Sequence, residues 1–410
     1  MTFSWLPDAE RDPHPRLTWF TECCFDWTIS ALFRKEEMLP PDYRLEPGTL
    51  VVSNHQRDAD VPILTTMLCR REGVHIRWPL PFYASREDFM RRGFLADHLM
   101  TWPAPLRAPF WVLSLAWFFR IVRAEPMRRT DEFTLLDAFR ALDIEDENAR
   151  AAELNARGRR EAQADKAQYD KNFWGIRRLA RPARAALAPG FRATVDAQLA
   201  RFAELLDAGR VVDFAPEGTI SPNGRMGRIR AGVWRIVRLA NRPPPILPAA
   251  LSYDPLGPGR LRVIVRIGSP LRAYNAKSRR EFDAWLKGEI MKLYPVTASH
   301  LASRFLAAGP ERFTTTAFAR WCERAVTMLA AAGCTLDPLL EHSNIQQLAE
   351  ERLGWLAHKS LLAHTDTGWR NRWSRDAEAG WRRPANIVRY LDNALDDLLC
   401  GLAPGLELRP

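Results

Sequence analysis

The stretch Thr49–Leu64, "TLVVSNHQRDADVPIL", decides how the rest of the chain is read. A β-branched run ends abruptly at Asn54 and His55, and Asp60 follows with four residues between imidazole and carboxylate. Val51 and Val52 predict a strand. Pro62 is tolerated only in the first turn of a helix, so a helix is expected to begin near Asp58 to Asp60. Asp60 then stands at a helix start, where the dipole favours its ionised form. Asp58 is read as the capping residue. His55 is placed at the carboxyl end of a strand, where open α/β sheets keep their chemistry. A histidine fixed by an aspartate is the equipment of a general base: the carboxylate takes the proton of one ring nitrogen and leaves the other free. Such a pair also arises by accident in a chain with eight histidines, so the local setting matters more than the spacing.

A second stretch, Gly209–Gly232, "GRVVDFAPEGTISPNGRMGRIRAG", repeats the design. The run "RVVDFA" reads as a strand and leads into Pro216, Glu217, Gly218 and Thr219. A glycine beside a glutamate, followed by Thr219 and Ser221, predicts a tight turn with exposed N–H groups and hydroxyls. An ordinary capped turn has the same composition.

Further β-type runs occur at 80–84, 119–122, 245–251 and 260–268, with helical patterns such as "VPILTTMLCRR" and "VWRIVRLANR" between most of them. Strands alternating with helices predict an α/β layered fold with a largely parallel, buried sheet. Residues 1–45 read as a helical lead-in and 46–299 as the α/β domain. A charged helical insertion without an apolar stripe falls near 143–168. After residue 300 the strand patterns stop, and 300–410 is expected to be an all-α C-terminal domain.

The 410 residues carry 47% hydrophobic and 26% charged side chains, a globular composition, with a formal net charge of +10. That excess suits an anionic partner such as a phosphorylated or CoA-like substrate, an acidic bilayer face or nucleic acid. The six cysteines (Cys23, Cys24, Cys69, Cys322, Cys334, Cys400) form no C-x-x-C pair or metal spacing, so reduced thiols and no metal are expected. The opening "MTFSWLPDAERD" lacks the pattern of a secretory signal, and a cytoplasmic protein is expected. The longest apolar run, Ala108–Phe119, is shorter than the roughly 20 residues a spanning helix needs. It reads as a core helix or as a segment lying in a membrane interface. "GWRNRWSRDAEAGWRRP" interleaves Trp369, Trp373 and Trp381 with arginines, which suits a base-stacking platform, a helical interface or an anionic membrane. No nucleic-acid motif accompanies it, and no nucleic-acid partner is expected.

Together, "NHQRDAD", "FRIVRAEP", "FAPEGTIS" and "ILPAAL" resemble, in order, the sequence blocks of the glycerolipid acyltransferases, the family of the lysophosphatidate acyltransferases. The resemblance covers roughly residues 45–275. It implies an α/β fold and a reaction without a bound cofactor or covalent intermediate. His55, oriented by Asp60, would deprotonate a lysolipid hydroxyl that attacks the thioester of an acyl-CoA or an acyl carrier protein. Asn54, Arg123, Glu217, Gly218 and Thr219 would form the acceptor-binding set, and the enzyme would work at the inner face of a membrane. Two departures stand out: Ile220 replaces the arginine of E-G-T-R-S, and Arg57 replaces a small polar residue. Arg225, Arg228 and Arg230 remain as basic residues on the same loop. A non-catalytic lipid-binding or membrane-associated protein on the same scaffold is the alternative.

Overall fold

A computed structural model describes residues 15–40, 43, 45–69, 82–86, 124–128, 133–164, 175–272, 274, 276–374, 376–381 and 383–409. The chain divides into two compact units, one formed by 1–83 with 205–410 and the other by 84–204.

In the first unit, helix α1 (Pro15–Leu32) runs directly into strand β1 (Phe33–Met38). Strand β2 (Leu50–Ser53) is followed by helix α2 (Asp60–Cys69). Strand β3 (Phe82–Arg86) begins in this unit, and β4 (Ala124–Met127) lies in the other. Strands β5 (Val212–Phe214), β6 (Ile246–Asp254) and β7 (Leu261–Ile267) complete the sheet, with helix α7 (Ala231–Leu239) between β5 and β6. The order across the sheet is β1-β7-β6-β2-β5-β3. Strands β6, β2, β5 and β3 are mutually parallel, β7 runs against β6, and β1 runs parallel to β7. The sheet is therefore mixed and mostly parallel, as the alternation of patterns predicts.

All nine residues of β6 are buried, as befits a central strand covered on both faces. Its alternation sorts the core. Leu247, Ala249, Leu251 and Tyr253 join Val51, Val263, Val265 and Ile267 in one cluster, closed by Ile29 of α1 and by Ile63, Leu64, Met67 and Leu68 of α2. Because β2 and β5 are parallel neighbours in register (Val51 opposite Asp213), the loops leaving their carboxyl ends emerge side by side. The Asn54–His55 turn and the Pro216–Thr219 turn are those loops.

The segment after residue 278 is mainly helical: α8 (Arg279–Leu293), α9 (Ala298–Ala308), α10 (Thr315–Ala331), α11 (Pro338–His342), α12 (Ile345–His358) and α13 (Pro384–Leu402). Two details differ from the sequence reading. Three short strands, β8 (Arg312–Phe313), β9 (Leu362–Thr365) and β10 (Gly368–Asn371), form a small antiparallel sheet within it. They are too short for a period-2 pattern to stand out. The C-terminal helices also share one compact unit with the sheet. Arg352 of α12 bridges to Asp254 at the end of β6 through two hydrogen bonds of 2.9 and 3.0 Å. Arg262 of β7 joins Glu36 of β1 and Asp337, the residue that caps α11. Asp254, Arg262, Asp337 and Arg352 are buried and paired, the form in which buried charge is tolerated. The sequence pattern places "FRKEEM" in the helical lead-in, but it forms strand β1, because pairing with β7 overrides that pattern.

The second unit contains α3 (Leu135–Ala141), α4 (Glu147–Ala152), α5 (Ala156–Ala164) and most of α6 (Arg181–Asp207). Its core gathers Phe133, Leu135, Phe139, Leu154, Ile176, Leu179 and Leu187, with Phe133 stacked on Phe191 at 4.0 Å. Helices α4 and α5 occupy the expected charged insertion and are largely exposed. The apolar run at 108–119 and Arg123 lie outside the described residues. No helix among the described residues is long and apolar enough to cross a membrane.

Candidate active site

The loop from Asn54 to Asp60 is folded around a single carboxylate. Oδ2 of Asp60 accepts the main-chain N–H groups of Gln56 (2.5 Å) and Arg57 (2.8 Å), and lies 3.1 Å from His55 Nδ1. Its Oδ1 accepts the hydroxyl of Tyr253 from β6. A carboxylate receiving donors from the chain on its own oxygen can only accept from the imidazole. Nδ1 of His55 is therefore the protonated nitrogen, and Nε2 is free to act as a base. Asp60 is buried, whereas His55 keeps 18% side-chain exposure. The ring is thus reachable while its partner is not.

Burial by itself depresses the His55 imidazole. The hydrogen bond and charge of Asp60, with the charges of Glu217 and Asp58, outweigh that and hold it above its ordinary value of 6.5. Burial first, then the Asp60 charge and hydrogen bond, push the Tyr253 phenol well above its usual range.

The second loop meets the first directly. The main-chain N–H of His55 donates to Glu217 Oε1 at 2.9 Å, and Ser221 N–H donates to the His55 carbonyl at 2.8 Å. The other Glu217 oxygen accepts Gly227 N–H at 2.5 Å. Both oxygens of this buried carboxylate are taken up by main-chain donors, so Glu217 ties the two loops together. Gly227 has no Cβ for a reason: one built there would stand 2.9 Å from Glu217 Oε2. Gly218 occupies the left-handed region at φ +66° and closes the turn by donating to Ala215 O at 3.0 Å. Gly218 and Thr219 are exposed at its tip.

Asn54 is buried and its amide is committed to β6. It donates to Leu251 O at 2.9 Å and accepts from Leu251 N at 2.8 Å. That two-way bond fixes the start of the histidine loop. Of the basic residues on the second loop, Arg225 pairs with Asp396 of α13 at 2.5 Å and Arg230 donates to the Glu217 carbonyl at 3.0 Å. Arg228 is exposed. Helix α13 supports this loop further through Asp397, which accepts from Met226 N–H (3.0 Å) and Lys287.

No protein-family model matches the chain, and no curated protein matches it. Among solved structures it is similar to the 1-acyl-sn-glycerophosphate acyltransferase PlsC of Thermotoga maritima, with 13% identity and a TM-score of 0.33, over 67% of this chain and 75% of that one.

Sequence reading missed four residues that the fold brings to the site. Tyr253 and Gln56 hold the dyad loop, the latter donating to Tyr294 at 2.7 Å. Trp381 packs beside Arg57. Asp213 lies on β5 with both carboxyl oxygens buried and lacking a hydrogen-bond partner. Burial raises it to about 7, with His55 lowering and Asp60 raising it. Its position in "RVVDFA" was a signal, since a carboxylate inside an apolar strand is costly.

Proposed function

We propose that the protein is an O-acyltransferase that moves a fatty acyl group from a thioester, an acyl-CoA or an acyl carrier protein, to the hydroxyl of a lysolipid. The observation that supports this best is the direct bond from the His55 main chain to Glu217. It joins a backed histidine and a glycine turn with an exposed tip at the carboxyl ends of adjacent parallel strands.

In this reading His55 Nε2 takes the proton of the acceptor hydroxyl while Asp60 stabilises the imidazolium. The hydroxyl oxygen bonds to the thioester carbonyl carbon, the C–S bond breaks, and the proton passes from Nε2 to the departing thiolate. The products are an ester and a free thiol. A thioester is reactive enough to need no enzyme-bound acyl group, so holding the two substrates together supplies much of the rest. Exposed Gly218 and Thr219, with Arg123, would hold the acceptor's head, while Glu217 and Asn54 set the positions of the two loops.

The enzyme would work against an anionic membrane face on the cytoplasmic side. Exposed Phe20 (59%), Trp27 (75%) and Leu32 (59%) on α1 supply an apolar surface for such contact, and the net charge of +10 favours acidic lipid. Purified protein given acyl-CoA and a panel of lysolipids should release free CoA with one of them. Release that is equal in His55→Ala removes the catalytic reading; binding of lysolipid without any release supports the lipid-binding alternative.

A further inference from the structure

The segment between β10 and α13 carries the third of three interleaved tryptophans, and the structure separates their roles. Trp369 and Trp373 are buried and bonded through their indole N–H groups, to Thr315 Oγ1 (2.9 Å) and Ala385 O (3.0 Å). They are structural and offer no open stacking platform. Trp381 instead reaches the histidine loop, which lies more than 300 residues earlier in sequence. The Arg57 guanidinium lies 4.7 Å from the Trp381 ring centre and 5.5 Å from that of Tyr253. Trp381 in turn packs edge-on against Tyr253 (5.6 Å) and at a tilt against Tyr390 of α13 (4.9 Å).

This cation is held by two aromatic rings, and its own main chain is part of the Asp60 cradle. Arg57 N–H donates to Asp60 Oδ2, and the Tyr253 hydroxyl donates to Asp60 Oδ1. Arg57 is only partly exposed. A guanidinium packed against two rings loses conformational freedom and some of its screening by water, so its charge acts on its neighbours more strongly.

We infer that Trp381 and Arg57 are positioning residues for the dyad: the C-terminal segment clamps Arg57 over the Asp60 cradle and thereby moderates the hold of Asp60 on His55. Asp60, Glu217 and Asp58 act on His55 as anions, and the carboxyl of Asp213 is lowered in turn by the His55 charge. Arg57 is the cation beside the far end of the dyad, where its charge acts on Tyr253, the other side-chain partner of Asp60. Its removal leaves the anions unopposed and makes the imidazolium easier to form. Loss of the Trp381 ring frees the guanidinium into water and has the same sign. The clamp also gives the C-terminal segment a direct part in the site.

The test is the titration of His55 in the full-length protein with labelled histidines, its ring signal assigned by loss in His55→Gln. Between about pH 5 and pH 9 the midpoint should rise by about half a pH unit in Arg57→Gln. Trp381→Leu should raise it in the same direction, Trp381→Phe should leave it near wild type, and Arg57→Gln with Trp381→Leu should exceed Arg57→Gln by nothing. Unchanged midpoints in Arg57→Gln and Trp381→Leu, or shifts that add in the double variant, overturn the clamp. Should Trp381→Leu not fold, Arg57→Gln and Trp381→Phe decide, and an unmoved Arg57→Gln overturns it. Only the consequence for turnover rests on the acyl-transfer reading. A protein that releases no CoA yet shows these shifts loses that reading and keeps the clamp, and active protein with unmoved midpoints does the reverse.

Discussion

The main-chain N–H of His55 lies 2.9 Å from Oε1 of Glu217, although 162 residues separate them. A buried carboxylate bonded to the main chain of the other loop fixes where the imidazole starts, independently of Asp60, which fixes how it turns. The two acids therefore have separate mechanical tasks, and substitutions at each should fail differently.

Asp60→Asn keeps the shape of the cradle but removes the charge that raises the imidazole. With Asp60 present, the His55 base forms as pH rises through a value above 6.5. A pH profile of turnover should place its acid limb there in wild type. It should lie lower in Asp60→Asn, with the plateau reduced about 10²–10⁴-fold. An acid limb at the same pH in both would separate Asp60 from His55.

Tyr253→Phe removes one of the two side-chain donors to Asp60 and leaves Oδ1 without that partner. The residue is fully buried, so about 1–2 kcal/mol of stability should be lost in denaturant unfolding. A variant as stable as wild type would show that the hydroxyl is not bonded there.

Asp213 carries a pH signature in stability. Its carboxyl is raised from 3.8 to about 7 in the fold, so the folded state holds a proton that the unfolded state releases earlier. Its contribution is fully present below about pH 4 and is lost as pH rises towards 7, on the order of 4 kcal/mol in all. Asp213→Asn removes that loss. Its melting temperature relative to wild type should climb between pH 5 and pH 8, and a constant offset would contradict the assignment.

Gly224 sits at φ +92°, and a Cβ there would overlap the carbonyl oxygen of Tyr390 in α13. Gly224→Ala should therefore cost about 2 kcal/mol or more by the combination of backbone strain and overlap. It should also loosen the Glu217 loop from its helix, seen as faster amide exchange at Gly227. Unchanged exchange would mean that α13 does not brace the loop.

The parts of the fold set by local pattern were legible in the sequence. The strands β2 and β6 announce themselves because buried parallel strands read as near-continuous apolar runs. Pro62 marks the start of α2 because its ring fits only the first turn. That the histidine and glutamate turns share one end of the sheet follows from two parallel strands being neighbours. What pattern does not carry is partnership at long range. Strand β1 is polar and becomes a strand through its ladder to β7. Asn54, placed in the acceptor-binding set by resemblance, spends its amide on Leu251 of β6. Tyr253 and Trp381 look like ordinary core aromatics until folding sets them against Asp60 and Arg57. The short β8–β10 sheet gives no periodic signal over strands of two to four residues.

The most direct measurement is release of CoA by purified protein given an acyl-CoA and a lysolipid, compared between wild type and His55→Ala at matched folding. Release should depend on the acceptor and fall by about 10²–10⁴-fold in the variant. Equal release by the two proteins would contradict it.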